Sequence, residues 1–427
     1  MARPRGRLRP VAAAEEVEEL TTLGADGRVL FSTRAARLFG YGLISVVLVL
    51  YLSSLGLSGG EIGLLLTLTL VGDTVISLWL TTHADRLGRR RVLLFGSLLM
   101  LGAGLVFAWG PPFVLLVAAA IVGVISPSGN EVGPFLAVEQ ASLSEIVATA
   151  RRTDVFARYN LTGSLATALG ALAGGGGARA LELSGMAPVD GYRAVVVGYA
   201  AVGIVLAALF TRLSPAVEAP RATDASVATR LGLHRSRSVV LQLAALFSID
   251  AFAGGFVIQS VVAYWFVVRF GASSDVLGAI FFGANVLAGF SALVAAAISR
   301  RVGLLRTMVY THVPSNLLLI LVPVMPTLPL AVAVLLARFA ISQMDVPARQ
   351  AYTMALVAPD ERSGAAGVTG VARTLGAAIS PSLAVPLVAG VTLAGLPFVI
   401  SGVLKLVYDG LVFLRFRDVP VEGEAPR

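Results

Sequence analysis

Residues 56–63 read GLSGGEIG, and residues 271–278 read GASSDVLG. Gly56, Ser58 and Gly63 fall opposite Gly271, Ser273 and Gly278, an offset of 215 positions. The offset holds without a gap through RLGRRR (86–91) and RVGLLR (301–306), where Arg86, Gly88 and Arg91 face Arg301, Gly303 and Arg306. Further along, EQA at 139–141 aligns with RQA at 349–351, and Leu169-Gly170 with Leu375-Gly376. A fixed offset over six mixed residue types marks a duplicated unit.

The repeat lies in an unusually apolar chain. Of 427 residues 56% are hydrophobic and 14% charged, whereas a soluble domain is about 45–50% apolar and about 25% charged. The apolar excess runs the length of the sequence, as a multi-pass membrane protein requires. With no cysteine, disulfides, thiolate metal sites and thiol catalysis are excluded. A helix needs about 20 apolar residues to cross a bilayer. That rule gives about twelve spans, near 35–56, 60–82, 91–110, 112–138, 155–176, 192–212, 238–268, 275–298, 305–325, 328–356, 364–389 and 394–415.

The net charge of +8 comes from arginines in short connections, ADRLGRRR, ATARRT, HRSRS, ISRRVGLLR and FRFRD, while the alternate connections are nearly bare. Such one-sided charge sets membrane topology and does not call for nucleic acid; the positive-inside rule puts these loops and both termini in the cytoplasm. The polar stretch 213–237 divides the spans six and six. The expected organisation is a tail over 1–27, a bundle over 28–212, a cytoplasmic linker over 213–237, a second bundle over 238–417 and a tail over 418–427. The opening MARPRGRLRPVAAAEEVEEL lacks an apolar core and is not a secretory signal.

THADRLGRRR (82–91) resembles the loop signature of the major facilitator superfamily, G-x-L-A-D-R-x-G-R-R, through Asp85, Arg86, Gly88, Arg89 and Arg90; Thr81 and His83 depart from it. A degenerate copy, ISRRVGLLR, stands at 298–306. The resemblance implies an all-α fold of 12 transmembrane helices in two pseudo-symmetric six-helix bundles. It also implies a gating role for the loop, in which Asp85 reaches an adjacent helix N-terminus. ATALGALAGG (166–175) resembles the antiporter signature of span 5 through Gly170, Gly174 and Gly175, which tilts towards export or exchange. THVPSN (311–316) and QMDVPARQAY (343–352) resemble stretches of bacterial members.

Ionisable groups within spans are costly and mark functional positions by default. The candidates for substrate binding or proton coupling are Asp73, Asn130, Glu131, Asp250, His312, Asp345, Arg349 and Arg373. Glu131 leads them: Gly129, Gly133 and Pro134 weaken span 4, and Pro134 frees the carbonyl of Asn130, leaving a polar notch near mid-membrane. Asp345 and Arg349 are spaced for helical pairing, as are Lys405 and Asp409, which read as a structural pair. Glu139 occupies the repeat position of Arg349, and a bridge between them would join the two bundles at their cytoplasmic ends.

The expected activity is secondary active transport of a small solute by alternating access, proton-coupled, in the plasma (inner) membrane, by a monomer without cofactor or metal. Proton-coupled uptake of a polar metabolite is the alternative direction. An integral-membrane enzyme is disfavoured, because three scattered histidines without cysteine do not assemble a catalytic or metal site. A sensor that no longer transports is the third class. No phosphate-binding loop of the G-x-x-x-x-G-K-[ST] type is present.

Overall fold

The computed structural model describes residues 24–148, 152–218, 235–358, 361–390, 392–417 and 419. Most of the linker and both expected tails therefore lie outside the described residues. Within them the regular structure is helical throughout. The first half runs α1 (Ala25–Ser54), α2 (Gly59–Leu87), α3 (Arg89–Trp109), α4 (Phe113–Val122), α5 (Phe135–Ile146), α6 (Arg152–Leu183) and α7 (Pro188–Phe210). The second runs α8 (Arg237–Gly255), α9 (Gln259–Phe270), α10 (Ser274–Val302), α11 (Leu304–Leu321), α12 (Leu328–Phe339), α13 (Asp345–Ala355), α14 (Arg362–Ile379), α15 (Pro381–Ala389) and α16 (Leu396–Phe416).

These helices make twelve crossings, because four spans are broken in two: span 4 (α4, α5), span 7 (α8, α9), span 10 (α12, α13) and span 11 (α14, α15). Nine crossings among the described residues are long and apolar enough to span a bilayer by composition alone. The other three are the interrupted spans 4 and 10 and the glycine-rich α6, which is enclosed between α1 and α10. Span 1 starts ten residues earlier than its hydropathy suggests, so Arg28 and Arg34 join Arg37 within α1. Its apolar run is buried all round, with Ile44, Val46, Val47 and Leu48 fully covered, as suits a helix at a bundle centre. Leu98, Ile204 and Leu414 stay exposed on the outer surface, where lipid would meet them.

The duplication is structural. Gly56 and Gly271 both turn with positive φ (87° and 64°), as do Gly88 and Gly303 (95° and 87°), conformations costly for any residue with a Cβ. Ser58 and Ser273 take the N-cap positions of α2 and α10. Gly170 and Gly376 let span 5 and span 11 press against the backbones of span 1 at Phe39 and span 7 at Ser248.

The halves meet tightly at the arginine-poor face. A Cβ on Gly63 would stand 2.8 Å from the carbonyl oxygen of Pro381 and 2.9 Å from Cα of Ser382. The Ser382 N–H donates to the Thr67 hydroxyl at 3.2 Å. The repeat-related Gly278 presses on Ala171 and Gly175 in the same way. Towards the arginine-rich face the halves part. On one face of α14, Ala366 and Gly370 are exposed and Arg373 is 33% exposed, whereas Ser380 is fully buried. On α6 exposure falls from Asn160 through Ser164 to the buried Thr167 and Ala171. The halves are in tight contact at one face, and exposure along α6 and α14 rises towards the other.

Candidate functional site

The break in span 4 lies where the glycines and prolines of 127–134 place it, and several of the released backbone groups find partners on other spans. Gly129 and Gly133 take positive φ (70° and 79°). The Asn130 carbonyl accepts from the Ser126 hydroxyl at 2.7 Å, that of Val132 from Tyr41 at 3.0 Å, and that of Val124 from Tyr199. Asp73, midway along α2, accepts the Gly133 N–H at 2.5 Å and the Ser77 hydroxyl at 3.1 Å. Across the interface, Ser260 N–H donates to the Pro127 carbonyl at 3.1 Å, and Gln259 bridges Ser45 (2.8 Å) to Asn285 (3.1 Å). Non-helical backbone at membrane depth survives only with such satisfaction. The notch is therefore built from spans 1, 2, 6 and 7 together.

Beside it lies a buried ion cluster. Arg37 grips Glu139 through both terminal nitrogens (2.8 and 2.7 Å) and reaches Glu131 at 3.1–3.2 Å. Arg34 also donates to Glu131, to the Tyr159 carbonyl at 3.1 Å and to Asn160 at 3.3 Å. Glu139 further accepts from Thr33 at 2.7 Å and from the Tyr159 hydroxyl. Arg37 and Glu139 have no exposed side-chain surface, while Glu131 keeps 16%. Two guanidinium groups balance two carboxylates.

The second half carries a counterpart with its charges exchanged. Here the first span supplies the acid and the fourth the base. Asp250 of α8 takes Lys405 at 2.5 Å on one oxygen, and Arg349 and Arg373 at 3.2 Å each on the other. Arg349 also donates to Asp345 at 2.8 Å, one helical turn away. His312 Nδ1 lies 2.7 Å from Asp409, which also accepts from Asn316 at 3.0 Å; His312 Nε2 is 3.8 Å from Asp250.

Six of the sequence candidates thus gather in two clusters: Glu131 in the first, and Asp250, His312, Asp345, Arg349 and Arg373 in the second. Asn130 is exposed in the notch, and Asp73 holds the notch's backbone. Two expectations change, and a third concerns another state. Glu139 and Arg349 do not bridge the bundles in this arrangement, where each is held by partners within its own half; the bridge is an expectation for the outward-facing state. Lys405 and Asp409 do not pair with each other, since Lys405 turns to Asp250 and Asp409 to His312. In the loop, the N-terminus of α3 is capped by Glu218, which accepts from Arg89 N–H at 2.6 Å and Arg90 N–H at 3.2 Å. Asp85, largely exposed, accepts instead from the Arg89 side chain at 2.8 Å. Arg89 also donates to the Val217 carbonyl (3.1 Å), and Arg90 to that of Thr211 (2.6 Å). The loop is fastened to the segment that leaves span 6. Gly88 supplies its turn, and Arg86 lies exposed beside it.

The sequence reading missed Arg34, Arg37, Tyr159 and Glu218. The two arginines stand three apart on one helical face, which was a usable signal; starting span 1 at residue 35 hid it. Nothing local marks Glu218.

The profile of the Major Facilitator Superfamily matches residues 30–381. The chain belongs to that superfamily. An uncharacterized membrane protein of Saccharomyces cerevisiae is 31% identical over 424 residues, covering 92% of this chain and 94% of the yeast one. That eukaryotic relative removes the basis for calling this a bacterial type. The quinolone resistance protein NorA of Staphylococcus aureus is 34% identical over 87 residues, 20% of this chain and 22% of NorA. Among solved structures, a bacterial homolog of the human lysosomal transporter Spinster aligns with a TM-score of 0.69 at 15% identity, covering 92% of this chain and 96% of the other. A D-xylose-proton symporter aligns at 0.72 and 16% identity, covering 94% and 99%. At these identities the likeness establishes the fold.

Within this superfamily fold, the notch lies where the halves touch, and each ion cluster is held within its own half. Most of the buried charge is internally neutralised. Asp73 differs: it is a buried carboxylate with no ion-pair partner among the described residues.

Proposed function

We propose that the protein is a proton-coupled secondary transporter that exports a small solute by alternating access, in a plasma membrane and as a monomer. The family and the transporter neighbours support transport; the structure supports a state open towards the arginine-rich, cytoplasmic side. Export is favoured by the span 5 glycines, which pack on span 1 and span 8, and by the partial similarity to NorA.

The observation that carries the coupling is Asp73. A proton taken there removes an uncompensated charge from the membrane interior. It also weakens the charge-assisted bond to Gly133 N–H, loosening span 2 from the notch in span 4. Glu131, held by two guanidinium groups, serves the solute or the framework; the proton belongs to Asp73. Substrate entering beside Asn130, Glu131 and Arg373 would then be exchanged for protons as the halves rock.

The test uses proteoliposomes loaded with a pH-sensitive dye. Solutes that stabilise the purified protein to heat are added across an imposed pH gradient. Solute-dependent proton movement is expected in the wild type and is lost in Asp73→Asn, while that variant keeps its thermal midpoint within a few degrees. Equal proton movement in Asp73→Asn, or solute flux indifferent to the gradient, rejects the coupling.

A further inference from the structure

Arg338 ends α12, the outer half of span 10, at the point where that span breaks. Ten residues from the start of a helix rising about 1.5 Å per residue, it lies about 15 Å deep, near the middle of a hydrocarbon layer about 30 Å thick. Among the described residues it donates no hydrogen bond and joins no ion pair, and its Nε is enclosed with no partner. Its guanidinium lies over the face of its neighbour Phe339, at 5.0 Å, and no carboxylate among the described residues comes within ion-pair distance of it.

Every other cation at this depth has a carboxylate. Arg34 and Arg37 have Glu131 and Glu139, and Arg349, Arg373 and Lys405 share Asp250, with Asp345 beside Arg349. Among the described residues, the buried set of the second half therefore holds four permanent cations, Arg338, Arg349, Arg373 and Lys405, against Asp250, Asp345 and Asp409, an excess of one. Asp250, which acts on Arg338 across space together with Asp345, also holds Arg373, the most exposed member of its cluster and the third cation on that one carboxylate. An unpaired arginine at membrane depth is costly and is retained where a pathway ion or substrate completes it. The rigid fork of a guanidinium fits the oxygens of a carboxylate or phosphate.

We propose that Arg338 is an anion-recognition residue of the transport site, assisted by Arg373, and that the solute is a small organic anion bearing a carboxylate or a phosphate. This rests on reading the chain as a small-solute transporter; it is independent of Asp73 and of the direction of transport. The anion supplies the charge the second half lacks and satisfies the enclosed Nε. Arg373 swings to it because Asp250 retains Lys405 and Arg349.

The experiment is equilibrium binding to the purified full chain, read as saturable thermal stabilisation at fixed ionic strength. Three probe sets are compared: mono- and dicarboxylates from acetate to benzoate and citrate, phosphate monoesters such as glucose 6-phosphate, and the matching amides and neutral sugars. At least one anionic set is expected to stabilise saturably where its neutral counterparts do not, and which one does so identifies the headgroup. Arg338→Gln should weaken that binding at least tenfold and Arg338→Lys less, while Arg269→Gln, in the last turn of α9 at the arginine-poor face, leaves it unchanged. If Arg338→Gln does not fold, the same comparison is made with Arg373→Gln, for which at least a threefold loss is expected. Stabilisation by neutral and anionic probes alike, no saturable binding by any anion, or equal affinity in the Arg338 and Arg373 variants overturns the proposal. Anion binding that survives in Asp73→Asn separates this site from the coupling step.

Discussion

Replacing Gly63 by valine should force open the face that is now sealed. The Cβ alone would enter at 2.8 Å from the Pro381 carbonyl and 2.9 Å from Ser382 Cα. Ordinary contact begins at 3.4 Å, so backbone must retreat by about 0.5 Å, and the valine methyls add further crowding. Overpacking of this kind costs about 1–3 kcal/mol. Both neighbours are backbone atoms, so no side chain can swing aside. If the contact exists only in the closed arrangement, the whole cost falls on that state, and the closed-to-open ratio drops by about 5- to 150-fold. The natural chain has no cysteine, so spin labels can be placed at Ser54→Cys and Leu393→Cys without removing native thiols. Pulsed electron–electron distance measurements in nanodiscs then report the separation of the two halves at that face. The expected result is a new population at longer distance in Gly63→Val. Gly60→Val is the control, since nothing lies within 4 Å of its Cβ. An unchanged distance distribution, or an equal shift in the control, refutes the assignment of this contact as the seal.

Glu139→Gln should lower stability by about 3–5 kcal/mol, because it leaves Arg37 fully buried against a single carboxylate; Arg37→Met with Glu139→Leu should recover much of that loss, as denaturant titration in detergent would show. Asp250→Asn should cost about the same by the same mechanism and measurement, since three cations lose their shared anion, whereas Arg373→Gln, partly exposed and replaceable at Asp250, should cost less than about 1 kcal/mol. Tyr41→Phe removes one hydroxyl from the Val132 carbonyl and should cost about 1 kcal/mol in thermal unfolding while leaving the span 4 break in place, because its other donors remain.

Much of the fold was legible because its signals are local. The duplicated Gly56/Gly271 and Gly88/Gly303 turns need a backbone conformation that glycine supplies, and alternating arginine-rich loops betray topology whatever the helices do. The span 4 break was legible for the same reason, with two glycines and two prolines inside eight residues. The ion clusters were only half legible. Asp345 and Arg349 pair along one helix, a spacing sequence can show. Lys405 and Asp409 have the same spacing and yet part, because Asp250 and His312 approach from other spans. Pairing between helices depends on rotation about each axis, and no repeat or spacing encodes that. Arg34 was overlooked for a plainer reason: hydropathy begins a span where charge ends, while α1 begins earlier and carries that charge inside; Arg37, already within the expected span, lost its partner in the pattern.

The exchange of charges between the two clusters also bears on how a duplicated protein avoids assembling wrongly. Newly inserted halves with the same helix order offer each span a near-twin of its proper neighbour. Were the first span to dock in the place of the seventh, Arg34 and Arg37 would confront Arg349; in the converse swap Asp250 would confront Glu131 and Glu139. Like charges in hydrocarbon repel with little screening, so the wrong pairings are penalised before packing begins. On this reasoning the opposite polarity of the two clusters would serve as an address label as the helices assemble.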